Sequence, residues 1–297
     1  MLKHISDFYK KINEQKTVKR LVLASAADEH SLDAVFKAAE KGIIEPVLAG
    51  NKSKITEICK AKNYALSGVE IIDIKDNTKA VKESVKLIKA GRADILMKGY
   101  TSTATLLKAV LNDEYGLKDA PLLSHFALFE LPNYHKLIGI TDVAMNIAPS
   151  LKEKTGIISN AVNYMHKIGY KKPKVAVIAA VELVNEKMPA TVDAAILSKM
   201  AQRNQIRECL IDGPLAFDNA MSKESALHKG IISEVAGDVD LLVMPNIEAG
   251  NVLYKSFAFG GAKLAAVILG ASVPIVLTSR SDSEESKLNS IILAAVS

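Results

Sequence analysis

From Arg20 onward the chain alternates short apolar runs with amphipathic helical patterns, and this alternation limits the possible folds more than any other feature. Strands are predicted at Leu21–Ala24, Glu45–Ala49, Glu70–Asp73 and Asp94–Met97. Between them Leu32, Val35, Phe36 and Ala39, and later Val81, Val85 and Ile88, recur at i, i+3, i+4 spacing. Each such helix therefore has one apolar face to lay on a sheet. The first half reads as mostly parallel βα units.

The pattern then changes. Leu122–Leu131 and Lys136–Thr141 are longer strand candidates separated by Pro132-Asn133, a turn signal, and could pair antiparallel. Asn146-Ile147-Ala148-Pro149-Ser150 opens a helix from Leu151 to about Ile168, with Ser150 as N-cap and Glu153 at the capping-box position. A second alternating block follows: strand Lys174–Ala179, helix Ala190–Arg203, strand Arg207–Ile211, helices around Asn219–Gly230, strand Asp240–Met244 and a Gly-rich helical stretch to Gly270. Strand Ile275–Thr278 and helix Glu284–Val296 end the chain. The expected organisation is two α/β domains, residues 1–147 with 272–297 and residues 148–271, with an active-site cleft between them.

With 297 residues the chain can build one large or two medium cores. The two cysteines, Cys59 and Cys209, fit no disulfide framework and no metal spacing, so no metal site is expected and a reducing compartment is the default. Residues 1–20 are rich in lysine without the apolar core of a signal peptide, which places the protein in the cytoplasm. The run Leu264–Leu277 is broken by Gly270, Ser272 and Pro274; it reads as a buried helix followed by a buried strand, not a membrane span. A net charge of +5 is spread over scattered Lys and Arg with no Trp and 5% aromatics. That argues for a basic surface attracting anionic metabolites and against nucleic acid.

Polar clusters follow the apolar runs, where an open α/β sheet binds ligands. Gly237-Asp238-Val239-Asp240 leads into Leu241–Met244, then Pro245 to Asn251 and Tyr254-Lys255. Asn251 and Lys255 stand four apart on one side of a helix, and Gly250 permits close backbone approach; the same pattern also describes a helix start with a solvated lysine. Ser279-Arg280 follows a strand and precedes the last helix, which suits an anion, although Asp282 with Glu285 could cap that helix and Arg280 could form a salt bridge. In Lys98-Gly99-Tyr100-Thr101-Ser102-Thr103, a lysine, hydroxyls and a helix start could cradle a phosphate, or Ser102 or Thr103 could simply cap. His125 and His135 border one hairpin without ligand spacing, and Lys171-Lys172 reads as a solvated loop. No GxGxxG opens a helix, and GxxxxGK[ST], HExxH and GxSxG are missing.

Together these motifs resemble the phosphate acetyltransferase and phosphate butyryltransferase family over nearly the whole chain. Gly237–Lys255 is similar to its "G-x-x-D, strand, P-x-x-x-x-G-N-x-x-Y-K" block, Gly213-Pro214-Leu215 with Asp218 to its "GPL-x-x-D" block, and Ser279-Arg280 to its "SR" motif. Phe259-Gly260-Gly261-Ala262 fits the turn between them. Lys98–Thr103, Leu123–Phe126 and Tyr134–Asp142 resemble the butyryl-type versions. The resemblance implies a two-domain α/β fold similar to isocitrate and isopropylmalate dehydrogenases, a homodimer, and reversible acyl transfer between CoA and phosphate through a ternary complex. CoA enters as a substrate, with no tightly bound cofactor. Ser279 and Arg280 would be catalytic, and Lys98, Gly99, Thr101, Ser102, Gly250, Asn251 and Lys255 would bind substrate. Acetyl-type members carry an Asp, assigned as the base, where this chain has Ser286, which leaves Asp282, Glu285 or no side chain for that role. The competing readings are a phosphate acetyltransferase, a metal- and NAD-dependent hydroxyacid dehydrogenase of the same fold, and a noncatalytic binder of CoA or phosphate.

Overall fold

A computed structural model describes residues 3–14, 18–277 and 282–297. It divides into two units, Ser6–Pro121 with Ala265–Ser297 (the terminal unit) and Met1–Ile5 with Leu122–Leu264 (the central unit).

The terminal unit begins with α1 (Asp7–Glu14), β1 (Lys19–Ala24), α2 (Glu29–Glu40), β2 (Ile44–Gly50), α3 (Lys52–Ala61), β3 (Glu70–Asp73), α4 (Asn77–Lys89), β4 (Ile95–Lys98) and α5 (Thr103–Val110). β1 pairs parallel with β2 and β4, and β2 pairs parallel with β3. Each predicted strand is present. On α4, Ala80, Val81, Val85 and Ile88 are buried, the face that the spacing marks as apolar. Asp28, Asn51, Asp76 and Ser102 each accept a first-turn N–H, so the strand-to-helix turns are locally encoded.

The central unit holds β5 (Ser124–Glu130), β6 (Ile138–Thr141), α6 (Leu151–Lys167), β7 (Lys174–Ile178), α7 (Pro189–Gln202), β8 (Leu210–Leu215), α8 (Phe217–Met221), α9 (Lys223–His228), β9 (Leu241–Val243) and α10 (Ile247–Phe259). Its strand order is β5-β6-β9-β7-β8, with β5 antiparallel to β6 and the rest parallel. Ser150 and Glu153 form the predicted capping box at the start of α6.

The chain returns through β10 (Lys263–Leu269), β11 (Ile275–Val276) and α11 (Glu284–Ala295). β11 pairs parallel with β4 and antiparallel with β10, and α11 packs on α2 and α1.

Some expectations change, among them the strand expected at Arg207–Ile211, which runs Leu210–Leu215. The helix expected to run to Gly270 ends at Phe259, and Lys263–Leu269 is a strand. Gly261, at φ +83°, stops the helix, and a run buried on both faces carries no period by which to tell helix from strand. The division also falls at Pro121/Leu122 and Leu264/Ala265, not at 147/148 and 271/272. The β5–β6 hairpin belongs to the central sheet because β6 registers with β9 at Gly139↔Leu241 and Thr141↔Val243.

Candidate active site

In the terminal unit the sheet presents its loops where β1 and β4 end. Ser25, at φ +61°, donates its hydroxyl to the Tyr100 carbonyl at 2.8 Å and accepts the Tyr100 N–H at 2.7 Å. Gly99 lies so close to this turn that a Cβ would meet the Ser25 carbonyl oxygen at 2.4 Å. The Lys98 ammonium folds over the loop and donates to the carbonyls of Gly99 at 3.3 Å and Thr101 at 3.2 Å. Ser102 caps α5 by accepting the Thr105 N–H. Lys98, Gly99, Thr101 and Ser102 thus share one turn at a helix N-terminus, with its N–H groups and a lysine side by side. Ser25 is a partner of this turn that sequence reading passed over.

β11 runs parallel to β4 and ends at Val276, next to the end of β4 at Lys98. Ser279 and Arg280 lie outside the described residues. Asp282 precedes the N-cap of α11, and the expected cap moves by one residue: Ser283, not Asp282, accepts the Ser286 N–H. Serine is as good an N-cap as aspartate, so both positions carried the signal. The Asp282 carbonyl accepts a hydrogen bond from Lys287 at 3.0 Å.

In the central unit the candidate site residues gather around the turn after β6. Asp142 is buried and accepts the N–H groups of Ala144 at 2.8 Å and Met145 at 2.9 Å, while Asn146 donates to its other oxygen at 2.5 Å. α10 seats on this turn. A Cβ on Gly250 would lie 2.4 Å from the Asp142 carbonyl oxygen, and Asn251 donates to the Val143 carbonyl at 3.1 Å. Gly250 therefore serves helix-to-turn contact, and Asn251 fixes the orientation of the helix. Lys255, one turn on, is exposed and makes no hydrogen bond or ion pair with a described residue.

His125, on β5, is buried beside this group. Its ring meets Tyr254 edge-on at 5.7 Å, its Nδ1 has no partner among the described residues, and burial pushes the imidazole down to about 4 against the opposing pull of Asp142. Sequence reading assigned no role to Asp142 or Asn146. Their signal was an Asp and an Asn four apart directly after a strand, a pattern that binds its own turn.

The Asp238 and Asp240 pair occupies the other ends of the strands. Asp238 accepts from Lys136, Lys174 and His135, and Asp240 from Lys136, tying together the amino ends of β6, β7 and β9. Burial alone would raise the Asp238 carboxyl, but these donors hold it well below the usual range. In the "GPL" block a Cβ on Gly213 would meet the Val177 carbonyl oxygen at 2.7 Å, and Asp218 accepts the Ser225 hydroxyl at 2.8 Å.

Among the described residues no group of three or more His, Cys, Asp or Glu could hold a metal ion, and no helix is long and apolar enough to cross a membrane.

The phosphate acetyl/butaryl transferase family model matches residues 7–87 and 77–295. The phosphate butyryltransferase of Clostridium beijerinckii is 47% identical over 297 residues, covering 100% of this chain and 98% of that one. The phosphate acetyltransferase of Thermotoga maritima is 44% identical over 279 residues, 94% of this chain and 95% of that one. A crystal structure of a branched-chain phosphotransacylase from Enterococcus faecalis V583 superposes with a TM-score of 0.84 at 36% identity, covering 94% of this chain and 98% of that one. The chain belongs to the phosphate acetyl/butaryl transferase family.

Proposed function

We propose that the protein catalyses reversible transfer of a short-chain acyl group, butyryl in preference, from acyl-CoA to inorganic phosphate, giving an acyl phosphate and free CoA. The observation that carries this reading is full-length 47% identity to a phosphate butyryltransferase, in a chain whose Gly250–Lys255 segment is held on the Asp142 turn.

In the direction that forms CoA, a phosphate oxygen attacks the thioester carbonyl and the tetrahedral intermediate expels the thiolate. Arg280 holds the phosphate and offsets the developing charge, and Ser279 donates a hydrogen bond to the carbonyl or a phosphate oxygen. In the terminal unit Lys98, Gly99, Thr101 and Ser102 offer a lysine and helix N–H groups to an anionic group of a substrate, and in the central unit Lys255 offers a cation. In the reverse direction Asp282 takes the proton of the CoA thiol. Both cysteines are buried with their thiols pushed up, Cys209 to about 11, so neither supplies a thiolate for an acyl-enzyme. This supports direct transfer in a ternary complex, where positioning of the two substrates provides most of the acceleration. The protein acts in the cytoplasm as a homodimer, without a tightly bound cofactor.

The acetyltransferase reading draws support from the 44% identical relative that carries that name. Rates of thiol release from acetyl-, propionyl-, butyryl-, isobutyryl- and hexanoyl-CoA in phosphate buffer separate the two. A higher kcat/KM for butyryl-CoA is expected; acetyl-CoA as the best substrate would reverse the assignment. Initial-rate lines against each substrate should intersect, whereas parallel lines would require an acyl-enzyme.

A further inference from the structure

In the central unit the amino-terminal ends of β6, β7 and β9 border a cavity of about 360 Å³, within the size range of small-ligand sites. Lys136, Lys174, Asp238 and Asp240 form one wall and Tyr170, Lys171 and Lys172 another. The two carboxylates are already satisfied. Asp238 accepts from Lys136, Lys174 and His135, and Asp240 accepts from Lys136 at 2.7 Å and from the Lys174 N–H at 2.8 Å.

The donors on the other wall have no partner among the described residues. Lys171 and Lys172 are exposed and form no ion pair or hydrogen bond with a described residue. The Tyr170 hydroxyl is buried with no hydrogen-bond partner among the described residues, a state that costs free energy unless something supplies an acceptor. Burial with Asp240 nearby raises the phenol pKa, so at neutral pH this hydroxyl is protonated and can donate. Four lysines against two aspartates leave the lining with excess positive charge. The last carbonyls of α6 do not oppose an anion here, because the N–H groups of Ile168, Gly169 and Tyr170 already cap Tyr164, His166 and Met165.

We propose that this cavity binds a small multivalent oxyanion, a phosphate or carboxylate compound, through Lys171, Lys172 and the Tyr170 hydroxyl. The pair that reads as a solvated loop in sequence is thus one wall of a binding site. It lies at the opposite strand ends from Asp142 and α10, so its ligand does not compete for Asn251 or Lys255.

Isothermal titration of the full-length protein with inorganic pyrophosphate, and separately with citrate, tests this and tells phosphate from carboxylate chemistry. Saturable binding of at least one of them is expected, with one site per chain beyond any occupied in the acyl-transfer site. Lys171→Ala with Lys172→Ala, surface changes that leave folding intact, should weaken it roughly 10-fold or more, the range for a lost charge-assisted contact. Tyr170→Phe should weaken it, and Lys255→Ala should leave it unchanged. No saturable binding of either anion at millimolar concentration, an isotherm unchanged by loss of both lysines, or loss of the lysine-dependent component in Lys255→Ala would each overturn the proposal.

Discussion

Gly250 and Asp142 meet backbone to backbone: a Cβ on Gly250 would stand 2.4 Å from the Asp142 carbonyl oxygen and 3.1 Å from the Val143 Cα. No flexible side chain is available to give way, so Gly250→Ala must move α10 or the turn. Overpacking of this kind costs about 1–3 kcal/mol. Urea unfolding should show that loss, and kcat/KM should fall with it, because Asn251 and Lys255 ride on the same helix.

Lys255 and Asn251 should separate by their readouts. Lys255 is exposed and has no partner among the described residues, so Lys255→Ala should change stability by no more than about 0.5 kcal/mol. It should nonetheless raise the KM for an anionic substrate by roughly 10-fold, as loss of a charge-assisted contact does. Asn251→Ala removes the hydrogen bond to the Val143 carbonyl and should cost about 1 kcal/mol of stability as well as activity. Parallel stability measurements and initial rates on the two variants check both statements.

Much of this architecture was legible before the structure. β3 occupies the predicted Glu70–Asp73, and the Ser150–Glu153 capping box opens α6, because both are local signals of period and hydrogen bonding. Lys263–Leu269 is harder to read for the opposite reason: Leu264–Leu269 is buried on both faces and so carries no period that tells helix from strand. The unit boundary was placed late because pairing of β6 with β9 joins residues about a hundred positions apart. At the candidate site, the Lys98 and Asn251 segments stand out by their residue types, but the Asp142 turn that seats α10 is visible only once the two segments meet. The cap of α11 was ambiguous between Asp282 and Ser283, and one residue of register decided it.

Ser283 and Asp282 now make opposite predictions. Ser283→Ala should cost about 1 kcal/mol of stability, because it removes the acceptor for the Ser286 N–H. Asp282→Asn should leave thermal stability nearly unchanged. If Asp282 takes the thiol proton, the same change lowers kcat by about 100-fold or more and removes the ascending, acid-side limb of the pH–rate profile. Retention of that limb in Asp282→Asn would assign the base elsewhere.

His125 gives the fold a pH dependence of defined sign. Its folded-state pKa, about 4, lies below the usual value near 6.5, so between these values the unfolded chain binds the proton and the folded protein does not. The stabilisation is complete above about pH 6.5 and is lost as pH falls toward 4. Denaturation midpoints measured across this window should fall with acidity in the native chain. In His125→Gln, which lacks the titrating ring, the slope should be visibly smaller; an unchanged slope would place the linkage on another group.

Whether phosphate is the acyl acceptor can be read from phosphorus NMR of a reaction containing butyryl-CoA and inorganic phosphate, run alongside a thiol assay. A new acyl phosphate resonance should grow in equal molar amount with free CoA thiol, and no thiol should be released when phosphate is withheld. Thiol release that proceeds equally without phosphate, or that yields butyrate without an acyl phosphate resonance, would contradict that role for phosphate.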